Sequence, residues 1–249
     1  MDSYNSDFEA KISKLQSIID NSKNICVFTG AGISCPSGIP DFRSADGLYN
    51  KDSGFNIPPE QIISRSFFMS NPDLFYDFYK SSMLYPNALP NAAHKYFANL
   101  ENRGKDVSVV TQNIDGLHTA AGSSKVYEIH GSVLRNNCMK CGKFYDGEFV
   151  SKSKGIPYCT ECGGMIKPDV VLYEEPLNQT VVEGAVNAIM KADTMFIIGT
   201  SLVVYPAASY IGYFKGENLI IINKSRTSMD SCAQLTFYDD VEHVVKALK

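Results

Sequence analysis

The chain has 249 residues, 44% of them apolar and 20% charged, the balance of a folded soluble globule with one large domain, with or without a smaller insertion. Its net charge of −4, from 23 basic and 27 acidic side chains, argues against a broad basic face for nucleic acid. The apolar runs are too short for a bilayer span, the polar start MDSYNSDFEAK does not read as a signal peptide, and seven cysteines are too few for a disulfide scaffold, so a reducing, cytoplasmic setting without membrane partners is expected.

Phe8, Ile12, Leu15 and Ile19 recur at helical spacing and predict an amphipathic helix ahead of the first strand. Runs rich in Val and Ile then predict strands at Ile25–Thr29, Val107–Thr111, Val126–Ile129, Val170–Tyr173, Met195–Ile198 and Leu219–Ile222. These runs are apolar on both faces. They alternate with helical patterns, among them Val182, Ala185 and Ile189, and a closing Val241, Val244, Val245 and Leu248. Together they predict an α/β fold, a Rossmann-like parallel sheet with helices on both faces. Two stretches break the alternation. Residues 46–90 are aromatic and punctuated by Pro58, Pro59, Pro72, Pro86 and Pro90, and residues 135–167 carry paired cysteines. The expected division is a discontinuous larger domain of residues 1–45, 91–134 and 168–249. The small domain would comprise a helical module, 46–90, and a zinc-ribbon module, 135–167.

Gly30-Ala31-Gly32 follows the first strand, where a glycine turn lets backbone amides approach a phosphate. A dehydrogenase fingerprint would place a third glycine where this chain has Cys35. Pro36 and Pro40 disrupt the helix that should follow, and no second strand ends in a ribose-binding acid about 20 residues on. The loop suits nucleotide binding without hydride transfer. Its tail, Asp41-Phe42-Arg43, offers a guanidinium fork for phosphate and a ring that can exclude water from a reactive carbon. The plainer alternative makes Phe42 core and Arg43 a surface charge.

Other candidates follow other strands, at the end where an open α/β sheet binds ligands. Gln112, Asn113 and Asp115 offer paired donors and acceptors for ribose hydroxyls and a carboxamide. His130 follows the strand 126–129, and imidazole suits proton transfer near neutrality. His94 and His243 read as ordinary core or surface histidines, and His118 as support for its loop. Gly199, Thr200, Ser201 and Asn223 likewise end strands.

Cys138-Met-Lys-Cys141 and Cys159-Thr-Glu-Cys162 are separated by 17 residues, within the spacing of a four-thiolate zinc site. Such a site is closed and therefore structural. Two disulfides are the alternative, which a reducing setting disfavours. Cys26 and Cys232 read as core, and Cys35 as a packing residue or a reactive thiol.

"GAGISCPSGIPDFR" (30–43), "TQNIDGLH" (111–118), "EIHGS" (128–132), the two cysteine pairs, "KPDVVLY" (167–173), "GTSLVVYPAA" (199–208) and "IIN" (221–223) stand in this order. The chain thereby resembles the sirtuins, NAD-dependent protein deacylases, and more narrowly their compact bacterial members, over nearly its whole length. The resemblance implies NAD as co-substrate, one structural zinc and acetylated-lysine proteins or peptides as substrates. It makes His130 the general base and gives Asn113, the second catalytic residue, the ribose and an ordered water. Asp115, with the Ile114 backbone, would hold the nicotinamide amide. Gly30, Ala31, Gly32, Ser34, Cys35, Asp41, Phe42, Arg43 and Gln112 would complete that end of the NAD site. Gly199, Thr200 and Ser201 would meet phosphate or ribose, Asn223 and Lys224 the adenosine ribose, and Asp240 the adenine.

The implied reaction begins with attack of the acyl oxygen on the ribose carbon that carries nicotinamide, which leaves. His130 then deprotonates a ribose hydroxyl, which attacks the resulting imidate. The lysine amine is expelled and one water adds, so free lysine, nicotinamide and acylated ADP-ribose result. Val170, Val171, Leu172 and Tyr173 would offer a strand edge to the substrate peptide. The family usually continues with glycine and glutamate where Glu174-Glu175 stands here, an expected influence on peptide docking or on flanking-residue preference. Members that accept negatively charged acyl groups carry Tyr-x-x-Arg. Tyr76 and Tyr79 are not followed by that arginine, so acetyl is the expected acyl group. A mono-ADP-ribosyltransferase on the same site, or a non-catalytic zinc-containing NAD sensor, remain as alternatives, and the oligomeric state is not legible.

Overall fold

The computed structural model describes residues 2–42, 44, 47–49 and 56–249. Among the described residues nine strands run in chain order: β1 (Asn24–Thr29), β2 (Asp106–Thr111), β3 (Val126–Glu128), β4 (Gly131–Cys138), β5 (Phe144–Asp146), β6 (Ile166–Val170), β7 (Thr194–Ile198), β8 (Asn218–Ile222) and β9 (Leu235–Phe237). Six of them form a parallel sheet in the order β3-β2-β1-β7-β8-β9.

The register has a functional consequence. Glu128, Thr111, Thr29, Ile198, Ile222 and Phe237 occupy one row across the sheet and are the last residues of their strands. Every loop that leaves the sheet at this edge therefore starts level with its neighbours. The chain moves one way from β1 to β2 and lies on β1's other side at β7, so the crevice between those two loops is the switch point where such sheets bind ligands.

Alternation within each strand builds two cores. Ile25 and Val27 face a layer with Leu15, Ile19, Phe97, Phe196 and Val244, contributed in part by the helices Asp2–Asn21, Ala92–Asn102 and Val241–Lys246. Cys26 and Phe28 face the other layer, with Ala185 and Ile189 of the helix Gln179–Lys191. Each fully buried aliphatic or phenyl side chain contributes about 1.5–3 kcal/mol, which holds the sheet rigid beneath its loops.

The sequence reading requires a correction at Val170–Tyr173. That segment is not a strand of the parallel sheet; β6 ends at Val170 and pairs antiparallel with β4, in a separate three-stranded sheet β5-β4-β6. The sixth parallel strand is β9, whose three residues were too short to stand out by composition. Around the small sheet a third core joins the two interrupting stretches. Phe67, Phe68, Phe75, Tyr76, Phe78 and Tyr79 pack with Val133, Tyr145, Ile166 and Leu172, and with Cys138 and Cys159.

Candidate functional site

The loop after β1 folds into two short 3-10 turns, Ala31–Ile33 and Cys35–Ser37, where a dinucleotide-binding helix would otherwise begin. Its glycines serve a purpose different from the expected one. The Gly30 amide donates to the Ile198 carbonyl at 3.0 Å and the Gly32 amide to Gly199 at 2.8 Å, so these two N–H groups hold the β7 loop rather than facing a ligand. A Cβ on Gly32 would lie 2.6 Å from the Gly199 Cα, closer than any side chain tolerates. Gly32 and Gly199 thus let the two switch-point loops touch backbone to backbone. The amides of Thr200 and Ser201, next along, donate to no partner among the described residues.

On the β2 side, Asn113 Nδ2 donates to Ser34 Oγ at 3.0 Å, and that hydroxyl donates to Asp115 Oδ2 at 2.7 Å. The other Asp115 oxygen accepts the Leu117 amide at 2.9 Å. Ser34 and Asn113 are buried, and Asp115 is half-buried. Gln112 reaches back across β1 to donate to Thr200 Oγ1 at 3.1 Å. The Ile114 carbonyl accepts the Val133 amide, in the first half of β4. Four sequence-distant loops are thereby locked into one polar floor.

His130 sits over this floor, with Nδ1 3.0 Å from the Gln112 carbonyl. A carbonyl only accepts, so Nδ1 carries the proton and Nε2 is left as a bare acceptor. Burial holds the ring below its ordinary titration range, a shift partly opposed by the Gln112 hydrogen bond, and the imidazole is neutral near pH 7. Gly131, at φ +75°, turns the chain immediately afterwards, and a Cβ there would lie 1.6 Å from the Asp169 carbonyl oxygen. A neutral imidazole with a fixed tautomer is a proton acceptor. It is ready to act.

His118 supports this region from beneath. It is buried, with Nε2 3.1 Å from Thr29 Oγ1, which donates to Thr111 Oγ1 at 2.8 Å; that oxygen also accepts the Asn113 amide at 3.0 Å. His94 lies edge-on to His118, ring centroids 4.7 Å apart, and its Nδ1 accepts the Asn91 amide in a helix capping box. The threonines that end β1 and β2 went unmarked in the sequence reading; a hydroxyl as the last residue of each of two neighbouring strands was the available signal.

Cys138, Cys141, Cys159 and Cys162 converge, their sulfurs all within 4.8 Å of one another. Cys138 and Cys162 stand 3.4 Å apart at sulfur, Cys141 and Cys159 3.6 Å. Four thiolates around one zinc stand about 3.8 Å apart, so the cluster fits a tetrahedral ion and leaves no open position. The Tyr145 hydroxyl donates to Cys159 at 3.1 Å and supplies an outer contact.

Comparison with known proteins places this architecture. The Sir2 family model matches residues 30–206, well over half of the chain. A protein of Clostridium perfringens named NAD-dependent protein deacetylase is 57% identical over 236 residues, covering 94% of this chain and 97% of its own. The chain belongs to the Sir2 family. A solved Sir2 described with a p53 peptide and NAD+ superimposes with a TM-score of 0.82 at 37% identity, covering 94% of this chain and 95% of that one. A Sir2 described with an inhibitor, 2'-O-acetyl-ADP-ribose and deacetylated p53 peptide gives 0.81 at 36% identity, with 94% and 96% covered.

Within this Sir2 chain the remaining candidates are distributed along the same edge. Asn223 follows β8 and donates its side-chain amide to the Ser225 carbonyl, at 2.7 Å. Lys224 pairs with Asp240 at 3.1 Å, and Asp240 also caps the helix Val241–Lys246 through the Glu242 amide. Asp41 and Phe42 close a turn against Leu48 and Tyr49, and the Phe42 ring packs 5.4 Å from Tyr49 on the small core. Arg43 lies outside the described residues. Burial pushes the Cys35 thiol above its ordinary range, and its sulfur lies 3.7 Å from the Ala31 carbonyl oxygen.

The aromatic cluster at residues 75–79 of this Sir2 chain is core. Phe75, Tyr76, Phe78 and Tyr79 are fully buried, and the Tyr76 hydroxyl donates to the Ile166 carbonyl. Lys80 is no spare cation either. Its ammonium donates to the carbonyls of Ser153 and Gly155 and to the Ser153 hydroxyl, at 2.5–2.8 Å. This helix staples the two halves of the small core together.

Val170–Tyr173 runs beside His130: the Val171 amide donates to the His130 carbonyl at 3.0 Å. The Val171 carbonyl accepts from no described residue. Beyond it, Tyr173 forms a parallel bridge to Ser64, and Glu174 turns the chain at φ +75°. For a residue with a side chain that conformation costs about 1–2 kcal/mol. The Glu174 carboxylate offsets it by accepting the Ser66 amide and hydroxyl, each at 2.9 Å.

Proposed function

We propose that the chain is an NAD-dependent protein lysine deacetylase that transfers the acetyl group of a lysine to ADP-ribose with release of nicotinamide. The observation that carries this reading is His130, a half-buried neutral imidazole with Nε2 bare, above the Asn113–Ser34–Asp115 floor and beside the Val171 carbonyl, which has no partner among the described residues. A binding module needs no such base.

NAD, when bound at the switch point, supplies a ribose carbon that becomes electrophilic as nicotinamide departs. The chain's residues do the rest. The Thr200 and Ser201 amides and the Gly199 turn receive phosphate or ribose, with Ala31 and Gly30 lining the approach. Asn223, Lys224 and Asp240 serve the adenosine end. Asp115 and the Ile114 amide hold the carboxamide, and Asn113 holds ribose. Phe42 excludes water, and Arg43 meets phosphate. The Val171 carbonyl fixes the substrate's lysine, with its acyl oxygen aimed at the ribose. His130 Nε2 accepts the proton of a ribose hydroxyl, and Nδ1–H···O=C of Gln112 steadies the imidazolium that results. The large sheet and its loops form the NAD-binding domain, and the residues of 46–90 and 135–167 form the small domain over the cleft. Four unoxidised thiols suit a reducing compartment, and we read the cytoplasm as the site of action.

The test is an acetyl-lysine peptide incubated with and without NAD. Loss of the acetyl mass only when NAD is present is expected; loss without NAD, or none with it, would refute the reading.

A further inference from the structure

Glu174 and Leu202, at φ +75° and +56°, are the non-glycine residues in the left-handed region among those described. Glu174 stands where the docking strand ends. Its side chain is not turned toward that strand's ligand: both carboxylate oxygens are engaged by Ser66, at the start of the helix Arg65–Ser70. The flanking contacts run the same way. The Arg65 amide donates to the Tyr173 carbonyl at 3.0 Å, the Tyr173 amide donates to Ile63 at 3.1 Å, and Glu175 pairs with Arg65 and Lys167, each at 3.0 Å.

Both polar groups of Tyr173 are taken by the 63–65 segment, and both of Leu172 are taken by Glu175, whose amide donates to the Leu172 carbonyl and whose carboxylate accepts the Leu172 amide at 2.9 Å. Among the described residues, the Val171 carbonyl and the N–H and C=O of Glu174 itself have no partner. These are the groups an added peptide strand can use. A glycine at this position would sample many conformations; a glutamate tied at its far end holds one.

We propose that Glu174 is a positioning residue for the substrate peptide, its Ser66-bound carboxylate fixing a left-handed turn that presents the free backbone groups of Glu174 to the peptide in preset orientation. The inference rests on the deacetylase reading.

The experiment compares wild type with Glu174→Gly, Glu174→Gln and Ser66→Ala on one acetyl-lysine peptide, measuring KM for peptide and NAD separately, with zinc content and melting temperature as folding controls. Glycine permits the turn but loses the anchor, so E174G should raise peptide KM about tenfold while KM for NAD stays within about twofold. S66A should move in the same direction by less, and E174Q, which keeps an acceptor for the Ser66 amide, should stay near wild type. Unchanged peptide KM in E174G, or an E174Q as weak as E174G, would overturn the proposal. An inactive wild type would instead refute the deacetylase reading beneath it.

Discussion

His130 Nδ1 lies 3.0 Å from the carbonyl oxygen of Gln112, and that single contact decides which ring nitrogen can take a proton. His130→Ala should lower kcat by about 100-fold or more while NAD binds within about threefold of wild type, because the lost group moves a proton and adds little ground-state affinity. Isothermal titration beside steady-state assays checks both halves. Since burial lowers the His130 pKa, the neutral form persists below the ordinary imidazole value of about 6.5. Activity should therefore be level above that pH and fall only at more acid pH, as the ring becomes protonated. A kcat/KM profile with its acid limb at or above 7 would contradict the assigned base.

Asp115 accepts from Ser34 on one oxygen and from the Leu117 amide on the other. In Asp115→Asn one acceptor becomes a donor, so the carboxamide of nicotinamide loses its partner or the loop loses a support. Inhibition by free nicotinamide should weaken about tenfold, and Ser34→Ala should weaken it by less. Dose–response curves at fixed NAD test this, and identical nicotinamide sensitivity in D115N would remove Asp115 from the role.

The cysteine cluster belongs to the same core as Tyr76, Ile166 and Leu172. Freshly purified, reduced protein should hold about one zinc per chain, and stripping it should lower the melting temperature by more than about 10 °C. Elemental analysis and calorimetry read the two quantities. A chelator that abolished activity with metal and fold both retained would contradict a structural role.

How far the sequence could be read follows from what each signal measures. The strands at 25–29, 107–111 and 195–198 stood out because a strand covered on both faces is apolar throughout, and the structure places them at the sheet's centre. Segment 170–173 has a similar composition, but Val170 and Leu172 belong to the small core, and composition does not report which sheet a strand joins. The sequence brought Gln112, Asn113, Asp115, His130 and Thr200 to one edge. It could not show that Gly30 and Gly32 direct their amides to β7, since a glycine pattern is the same for a ligand or for a neighbouring backbone. Glu174 was visible as a departure, but its tie to Ser66 crosses 108 residues and needed coordinates.

The acyl preference follows from cations already committed. Lys80 is held by the Ser153–Gly155 loop, and Tyr76 and Tyr79 are buried in the core. An acyl carboxylate drawn out of water with no cation to pair with costs several kcal/mol. Acetyl-lysine should exceed succinyl-lysine in kcat/KM by at least about tenfold on one peptide sequence. Equal efficiencies on the two peptides would contradict this preference.

The reaction proposed for this site moves the acetyl group to ADP-ribose. The most direct measurement is quantitative mass spectrometry of a single reaction containing acetyl-lysine peptide, NAD and enzyme. The account predicts nicotinamide, deacetylated peptide and O-acetyl-ADP-ribose in equal amounts, with no mass added to any protein. Nicotinamide release accompanied by free acetate alone, or by ADP-ribose attached to peptide or enzyme, would contradict it.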